Sequence, residues 1–214
     1  MSEWRRRLLM CQSDGPEQYD YCKTAGNYSD TTGWIDTGLA VPSIGTIVRV
    51  DIVVDLPSVG GVIFGTTGGD GHLVRRDVIT SDSVWIRFYD ASWGYGYAFS
   101  GVAGTYHLVT SFGTGDVSEG ASVNDTSCEG HGNTSYNLPS GNYALGASYT
   151  STWRRMAADK NIAFRSVKIW YDDVLMRDMY PSIVEGKPGM YDKVTKMLYG
   201  NSWRYGSLIV GNDE

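Results

Sequence analysis

Across residues 46–55 apolar and polar side chains take turns, with Val48, Val50, Ile52 and Val54 on one side and Arg49, Asp51 and Asp55 on the other. A period of two marks a strand with one face buried. Residues 83–89 repeat the pattern, Val84, Ile86 and Phe88 standing against Trp85, Arg87 and Tyr89. Further strands are predicted at 34–38, at 61–65 (a short apolar run bounded by glycines), at 105–112, at 143–147 and at 164–171. In the last of these, either Val167 and Ile169 or Lys168 and Trp170 face inward. Asp172 and Asp173 are predicted to turn the chain so that 174–180 pairs back as a hairpin. A last hairpin joins 190–191 to 197–199 through a turn at 192–196. Residues 152–160 alone read as a short helix, on the strength of Met156, Ala157 and Ala158. Many short strands separated by turn residues predict a sandwich or barrel, without repeats or a domain break.

Composition narrows this. Twenty-seven glycines, fifteen tyrosines and seven tryptophans in 214 residues suit strands joined by tight turns. A hydrophobic share of 42 % excludes wholesale disorder. A single all-β unit of this size can bury its own core. The division expected is a polar, Arg-rich tail over 1–18 and one domain over 19–214. A net charge of −6 and a pI near 5.0 give no reason to attract nucleic acid. No stretch approaches the roughly 20 apolar residues of a membrane span. After Arg5, Arg6 and Arg7 only Leu8, Leu9, Met10 and Cys11 are apolar, short of the roughly 7–15 residues of a signal peptide core. The product is therefore expected to stay in the cytosol at synthesis or to leave inside a larger particle. Cys11, Cys22 and Cys128 are odd in number and lack zinc spacing, so reduced thiols are expected. The N-x-S/T matches at Asn27, Asn124 and Asn133 carry no weight without a secretory route.

Catalytic candidates are few. A retaining glycosidase needs two carboxyls about 5–5.5 Å apart, one of them protonated. Glu3, Glu17 and Glu214 lie near the ends, and Glu119, Glu129 and Glu185 lie in polar or Gly-rich connections. Asp51 and Asp55 share a strand face and are the only plausible pair, and solvated carboxylates explain them equally. No enzyme activity and no catalytic residue is expected. Cys128 and His131 have metal-like spacing without a second pair, and His72 and His107 stand apart, so no metal site is expected. Residues 116–119 and Asn124-Asp125 offer only a fragment of a calcium loop, so no cofactor is expected from the residues. Nucleophile elbow, Walker and dinucleotide-binding glycine patterns are missing.

Aromatic residues are the remaining signal. In Trp93-Gly94-Tyr95-Gly96-Tyr97 three rings alternate with glycines. Such a set can form a platform on which sugar rings stack, or an aromatic strand packed under a loop. Trp153 beside Arg154 and Arg155, and Trp203 beside Arg204 and Tyr205, are second choices. Trp4, Arg5, Arg6 and Arg7 suit an anchoring tail that orders against a partner, or a frayed terminus.

Several segments recur together in a known order: Trp34-Ile35-Asp36-Thr37-Gly38, Asn142-Tyr143-Ala144-Leu145-Gly146-Ala147, and a C-terminal block. That block comprises Ser166-Val167-Lys168-Ile169-Trp170, Leu175-Met176-Arg177-Asp178-Met179-Tyr180-Pro181, Gly189-Met190-Tyr191-Asp192-Lys193-Val194-Thr195 and Leu198-Tyr199-Gly200-Asn201. Over about residues 26–211 the chain resembles the concanavalin A-like (LamG-like) jelly-roll family. It is similar especially to a compact version found in gut Bacteroidales bacteria and their phages and prophages, whose Arg-rich openings are like residues 4–10. The resemblance implies an all-β fold, a two-sheet antiparallel jelly-roll β-sandwich used for adhesion to carbohydrate or protein, or as a virion surface part. The leading expectation is a non-catalytic virion surface component: a capsid decoration, head fibre or tail-associated protein. Its partners would be other virion proteins or its own copies, and cell-surface glycans; the resemblance also implies that calcium at the sandwich rim is the one cofactor to consider. The alternative is a bacterial carbohydrate-binding or adhesion module at the cell surface, and a glycoside hydrolase comes third. Fold alone does not choose among these.

Overall fold

The structure, a computed structural model, describes residues 15–26, 32–43, 45–57, 61–68, 72–80, 83–89, 93–99, 103–113, 120–133, 139–150, 155–158, 161–202 and 206–213. For 76–80, 83–85, 89, 93–99, 129–133, 149–150 and 155–158 the backbone alone is described. In chain order the strands are β1 (Tyr21–Ala25), β2 (Ile35–Ala40), β3 (Ile47–Leu56), β4 (Gly61–Thr66), β5 (Leu73–Thr80), β6 (Ser83–Tyr89) and β7 (Trp93–Phe99). Next come β8 (Gly104–Gly113), β9 (Gly120–Val123), β10 (Thr126–Ser127), β11 (Glu129–Asn133), β12 (Asn142–Leu145), β13 (Ala147–Thr150) and β14 (Arg155–Ala158). The C-terminal set is β15 (Ala163–Tyr171), β16 (Val174–Val184), β17 (Lys187–Asp192), β18 (Met197–Gly200) and β19 (Ser207–Gly211). No helix among the described residues is long and apolar enough to cross a membrane.

Two antiparallel sheets make a jelly-roll β-sandwich. The first runs β10-β9-β8-β3-β15-β16-β17-β18, with β1 pairing both β15 and β19. The second runs β11-β7-β6-β5-β4-β12-β2. Period-two patterning builds the space between them. Val48, Val50, Ile52 and Val54 of β3, Leu108 and Phe112 of β8, and Val167 and Ile169 of β15 face Phe64, Val74, Ile86, Phe88, Tyr143 and Leu145 of the second sheet. This decides the open question in β15, since Val167 and Ile169 are buried and Lys168 is exposed. Phe64 stacks on Tyr143 with ring centroids 5.1 Å apart, and His72 on Phe112 at 4.7 Å. His72 is fully enclosed, its Nδ1 2.9 Å from the Tyr143 hydroxyl. Burial pushes its pKa down from 6.5 to about 4, the Gly113 carbonyl opposing the change.

The C-terminal block has a structural content. Asp172 and Asp173 take φ of 44° and 66°, the left-handed pair that a two-residue hairpin turn between β15 and β16 requires. Asp192 is fully buried and ties the β17–β18 turn together. Its Oδ1 accepts from the backbone N–H of Asp178 (2.9 Å) and Val194 (3.1 Å), and its Oδ2 accepts from the Thr195 N–H (3.1 Å) and hydroxyl (2.7 Å). The Arg177 guanidinium lies beside it, donates to the Thr37 carbonyl of β2 at 3.1 Å and covers the Tyr199 ring.

The expected helix over 152–160 is not formed. Residues 155–158 are strand β14, paired with β13 from Ala147↔Ala158 to Thr150↔Arg155. So short a helix is marginal in water, whereas an adjacent strand satisfies these backbone groups at once. The β13–β14 hairpin lies against β4: a Cβ on Gly65 would stand 2.8 Å from the Ala147 carbonyl oxygen. Ahead of β1, Gln18 bridges to Ser182, the Ser182 hydroxyl donates to Glu17 O at 2.7 Å, and the Tyr180 hydroxyl donates to Pro16 O at 2.9 Å. Residues 16–18, the end of the stretch read as a tail, are thereby laid along β16.

Candidate functional site

At one rim of the sandwich the chain's first and last strands meet and leave an open cleft of about 740 Å³. Sheet register assembles it. Lys23 of β1 pairs with Ala163 of β15, Ala163 with Asp55 of β3, and Asp55 with Thr105 of β8, so one row crosses four strands. Tyr21 pairs with Gly211, and a side chain at 211 would meet the Tyr21 hydroxyl at 2.7 Å. Glycine there lets the ring lie along β19. Asn161, at φ 66°, turns the chain into β15, and Pro57, Ala103 and Gly104 complete the wall.

A charge network fixes the floor of this cleft. Arg165 donates from Nε to both Asp55 oxygens, at 2.9 and 3.0 Å, and from its terminal nitrogens to both Asp213 oxygens, at 2.6 and 3.0 Å. The Thr105 hydroxyl adds a 2.6 Å bond to Asp55. The hydrogen bonds that Arg165 donates to Asp213 and then to Asp55 hold its pKa above the ordinary value, and the bond from Arg165 holds the Asp213 carboxyl below its own. Asp213 is anchored further, its N–H donating to Asp20 at 2.9 Å. Two carboxylates far apart in the sequence, Asp55 and Asp213, are thus locked in one orientation beside an aromatic ring, a lysine and an asparagine.

The outer face of the first sheet continues from the cleft. Asp51 binds His107 Nε2 at 3.0 Å, and Asp125 stands 3.8 Å from His107 Nδ1. Lys168 is the register partner of both Asp51 and Asp178, a ladder of alternating charge. Arg49 lies over Trp170, 5.0 Å from the ring centroid. Asp51 and Asp55, the carboxylates singled out by alternation, therefore each have a basic partner. Asp55 accepts hydrogen bonds on both oxygens, a poor arrangement for a group that must deliver a proton.

The sequence-selected aromatic residues are placed in part. Trp93, Tyr95 and Tyr97 occupy alternate positions of β7, where Tyr95 is the register partner of Phe88 and Tyr97 of Ile86. Their side chains, and Trp153, Trp4, Arg5, Arg6 and Arg7 as a whole, lie outside the described residues, as do Trp203, Arg204 and Tyr205. Cys128 is half-buried, and burial raises its thiol to about 11; of His131 only the backbone is described. Asn124 and Asp125 (φ 49° and 63°) form the β9–β10 turn, where Asn124 accepts from the His107 N–H at 2.8 Å. No group of three His, Cys, Asp or Glu suited to a metal occurs among the described residues. Sequence reasoning missed the cleft. Tyr21, Asn161 and Asp213 stand too far apart in the chain for any spacing to join them.

No family model and no curated protein matches the chain. The solved structures that share its architecture include the following two. One is a native heptameric SAP-like pentraxin from Limulus polyphemus, 11 % identical, with a TM-score of 0.59 over 91 % of this chain and 95 % of that one. The other is described as a putative carbohydrate binding protein from Bacteroides ovatus, 12 % identical, with a TM-score of 0.55 over 92 % of this chain and 62 % of that one. At such identities the likeness is one of fold, and what the three chains have in common is the all-β jelly-roll sandwich.

Proposed function

We propose that this protein is a non-catalytic carbohydrate-binding jelly-roll protein and that the rim cleft takes the sugar. The observation that carries this reading is the cleft's composition: the Tyr21 ring beside Lys23, Asn161, Asp55 and Asp213, with both carboxylates held by Arg165. A sugar offers an apolar ring face and a rim of hydroxyls. An aromatic wall with fixed acceptors and donors matches it, and groups already immobilised lose little entropy on binding. The shared fold with the putative carbohydrate binding protein from Bacteroides ovatus supports the same class of ligand. The occupied state of Asp51 and Asp55 supports binding without hydrolysis.

Display on a phage or prophage virion is the finer reading. It is supported by the resemblance of the C-terminal block and the Arg-rich opening to phage-encoded relatives, with Trp4, Arg5, Arg6 and Arg7 as the anchor to virion proteins or to further copies. Neighbouring genes for portal, capsid or terminase would favour it over a bacterial cell-surface adhesin.

A glycan array probed with the wild type, Tyr21→Ala and a Trp93→Ala/Tyr95→Ala variant tests the binding reading. Binding of one neutral glycan class that Tyr21→Ala weakens at least about tenfold is expected, the worth of one good stacking and hydrogen-bonding contact. Binding to no glycan overturns the function. Loss in the β7 variant alone moves the site from the cleft to that strand.

A further inference from the structure

The exposed apolar side chains of the described residues are not scattered. Val174, Leu175, Val194 and Met197, four of the six large ones, sit on the β15–β16 and β17–β18 hairpins. β16 and β17 are antiparallel neighbours, so β16 starts at the end of the first sheet where β17 finishes, and both turns project from that end. Turn tips are ordinarily polar, and apolar groups gathered in the open mark a surface that another molecule covers.

Charge divides the two tips. Asp172 and Asp173 head the β15–β16 hairpin beside Val174 and Leu175, all four exposed. Lys193 and Lys196 flank Val194 on the β17–β18 turn beside Met197, again all exposed. Asp172 Oδ1 accepts from the Ile47 N–H at 2.9 Å, and Lys193 lies over the Tyr180 ring, 5.1 Å from its centroid. The Asp173 and Lys196 side chains have no partner among the described residues. One tip is thus acidic and apolar, the other basic and apolar. They also stand at different heights. The Lys193 N–H donates to Asp178 O, which sets the basic turn level with Asp178. Asp173 lies beyond the start of β16, so the acidic tip reaches roughly 10 Å past the basic ledge at about 3.3 Å per residue.

We propose that this end of the sheet is a docking surface for a second copy of the chain. A two-fold axis brings the overhanging Asp173 tip of each copy onto the Lys196 ledge of the other, so that one contact is made twice. The step is its own complement in shape, and the charges match. Both tips are held before contact, one by the bond from Ile47 to Asp172 and the other by the bonds to Asp192, which limits the entropy lost on pairing. A contact between hairpin tips is small, so the pair is weak and reversible. Its consequence lies at the far end of β15. Ala163, which lines the cleft, and Tyr171, at the turn, are separated by about 26 Å of strand at about 3.3 Å per residue. Pairing through the tips leaves both clefts uncovered. Two clefts on one particle strengthen attachment to a repeating glycan, and this consequence alone rests on the sugar reading.

Sedimentation velocity on the full chain, from about 5 to about 500 µM, spans the range in which small interfaces associate. The wild type is expected to move from the mass of one chain to that of two as concentration rises, and less readily as salt screens the charges. Asp173→Lys and Lys196→Glu each set like charges against each other in both contacts, and each is expected to weaken pairing at least about tenfold. The hairpin backbone accepts the first change, since Lys196 itself adopts φ 60°. Mixed one to one, the two variants have opposite charges at both contacts again, and pairing is expected to return. Such a rescue excludes misfolding as the cause of the loss. A wild type that stays at one chain mass throughout overturns the proposal. So does a mass that climbs past two chains, a dimer indifferent to both substitutions, or a mixture that fails to recover. Glycan binding is read separately: a dimer that binds no glycan sinks the sugar reading and leaves the interface standing, and a monomer that binds glycan does the reverse.

Discussion

Arg177 Nε lies 3.7 Å from Asp192 Oδ2, and both side chains are buried, the carboxylate completely. The pair joins β16 to the β17–β18 turn, and through Thr37 it reaches the second sheet. Removing one partner of such a pair leaves an uncompensated charge indoors. Asp192→Ala is therefore expected to cost about 3–5 kcal/mol in urea unfolding, with Asp192→Asn retaining part of the hydrogen bonding and losing less. A loss within about 1 kcal/mol for the alanine variant, an ordinary surface effect, would show the turn to be held by its backbone alone.

Stability should fall on mild acidification because of His72. Its folded-state pKa is lowered from 6.5 to about 4, so between these values the unfolded chain binds a proton that the folded chain refuses. The contribution is fully present above 6.5 and is lost as pH falls towards 4, by about 3 kcal/mol at the limit. His72→Gln loses the Tyr143 contact and starts less stable at neutral pH. The gap between wild type and variant should narrow from pH 7.5 to 4.5, a comparison that cancels the carboxylates common to both. A constant gap would mean that His72 titrates alike in both states.

Burial raises the Cys22 thiol to about 12 and the Cys128 thiol to about 11. Thiolates are the reactive form, so both should resist iodoacetamide at pH 8 in the folded protein and label readily in urea. Peptide mass spectrometry reads the two sites separately. Rapid native labelling of Cys22 would contradict its enclosure in the core.

Gly65 and Gly104 make a paired test of close approach. A Cβ on Gly65 would crowd Ala147 and Ser148, whereas one on Gly104 meets nothing closer than the Tyr106 ring at 4.0 Å. Gly65→Ala is expected to lose about 1–3 kcal/mol as the β13–β14 hairpin is pushed off β4, with Gly104→Ala near neutral. Equal effects would show that the hairpin yields freely.

The strands that carry most of the core were legible because one face of each is buried. Val48, Val50, Ile52 and Val54 announce β3 without help from the rest of the chain. The turn at Asp172 and Asp173 was legible too, since aspartate tolerates the left-handed backbone such turns need. The β13–β14 hairpin was hidden because Met156, Ala157 and Ala158 favour helix and only pairing with residues 147–150 overrides them. The cleft was hidden for a different reason: Lys23, Asp55, Asn161 and Asp213 converge through β1–β19, β1–β15 and β15–β3 pairing, none of which is local.

The bond from the Asp213 N–H to Asp20 has a topological consequence. The described chain runs almost as a closed ring, returning after its full course to the place it left. Joining 213 to 20 with a short linker and reopening the ring at Glu185 and Gly186, an exposed turn, should give a permuted protein with the same sandwich. In such a permutant both termini would lie at the β16–β17 turn instead of beside the Asp20–Asp213 bond at the cleft.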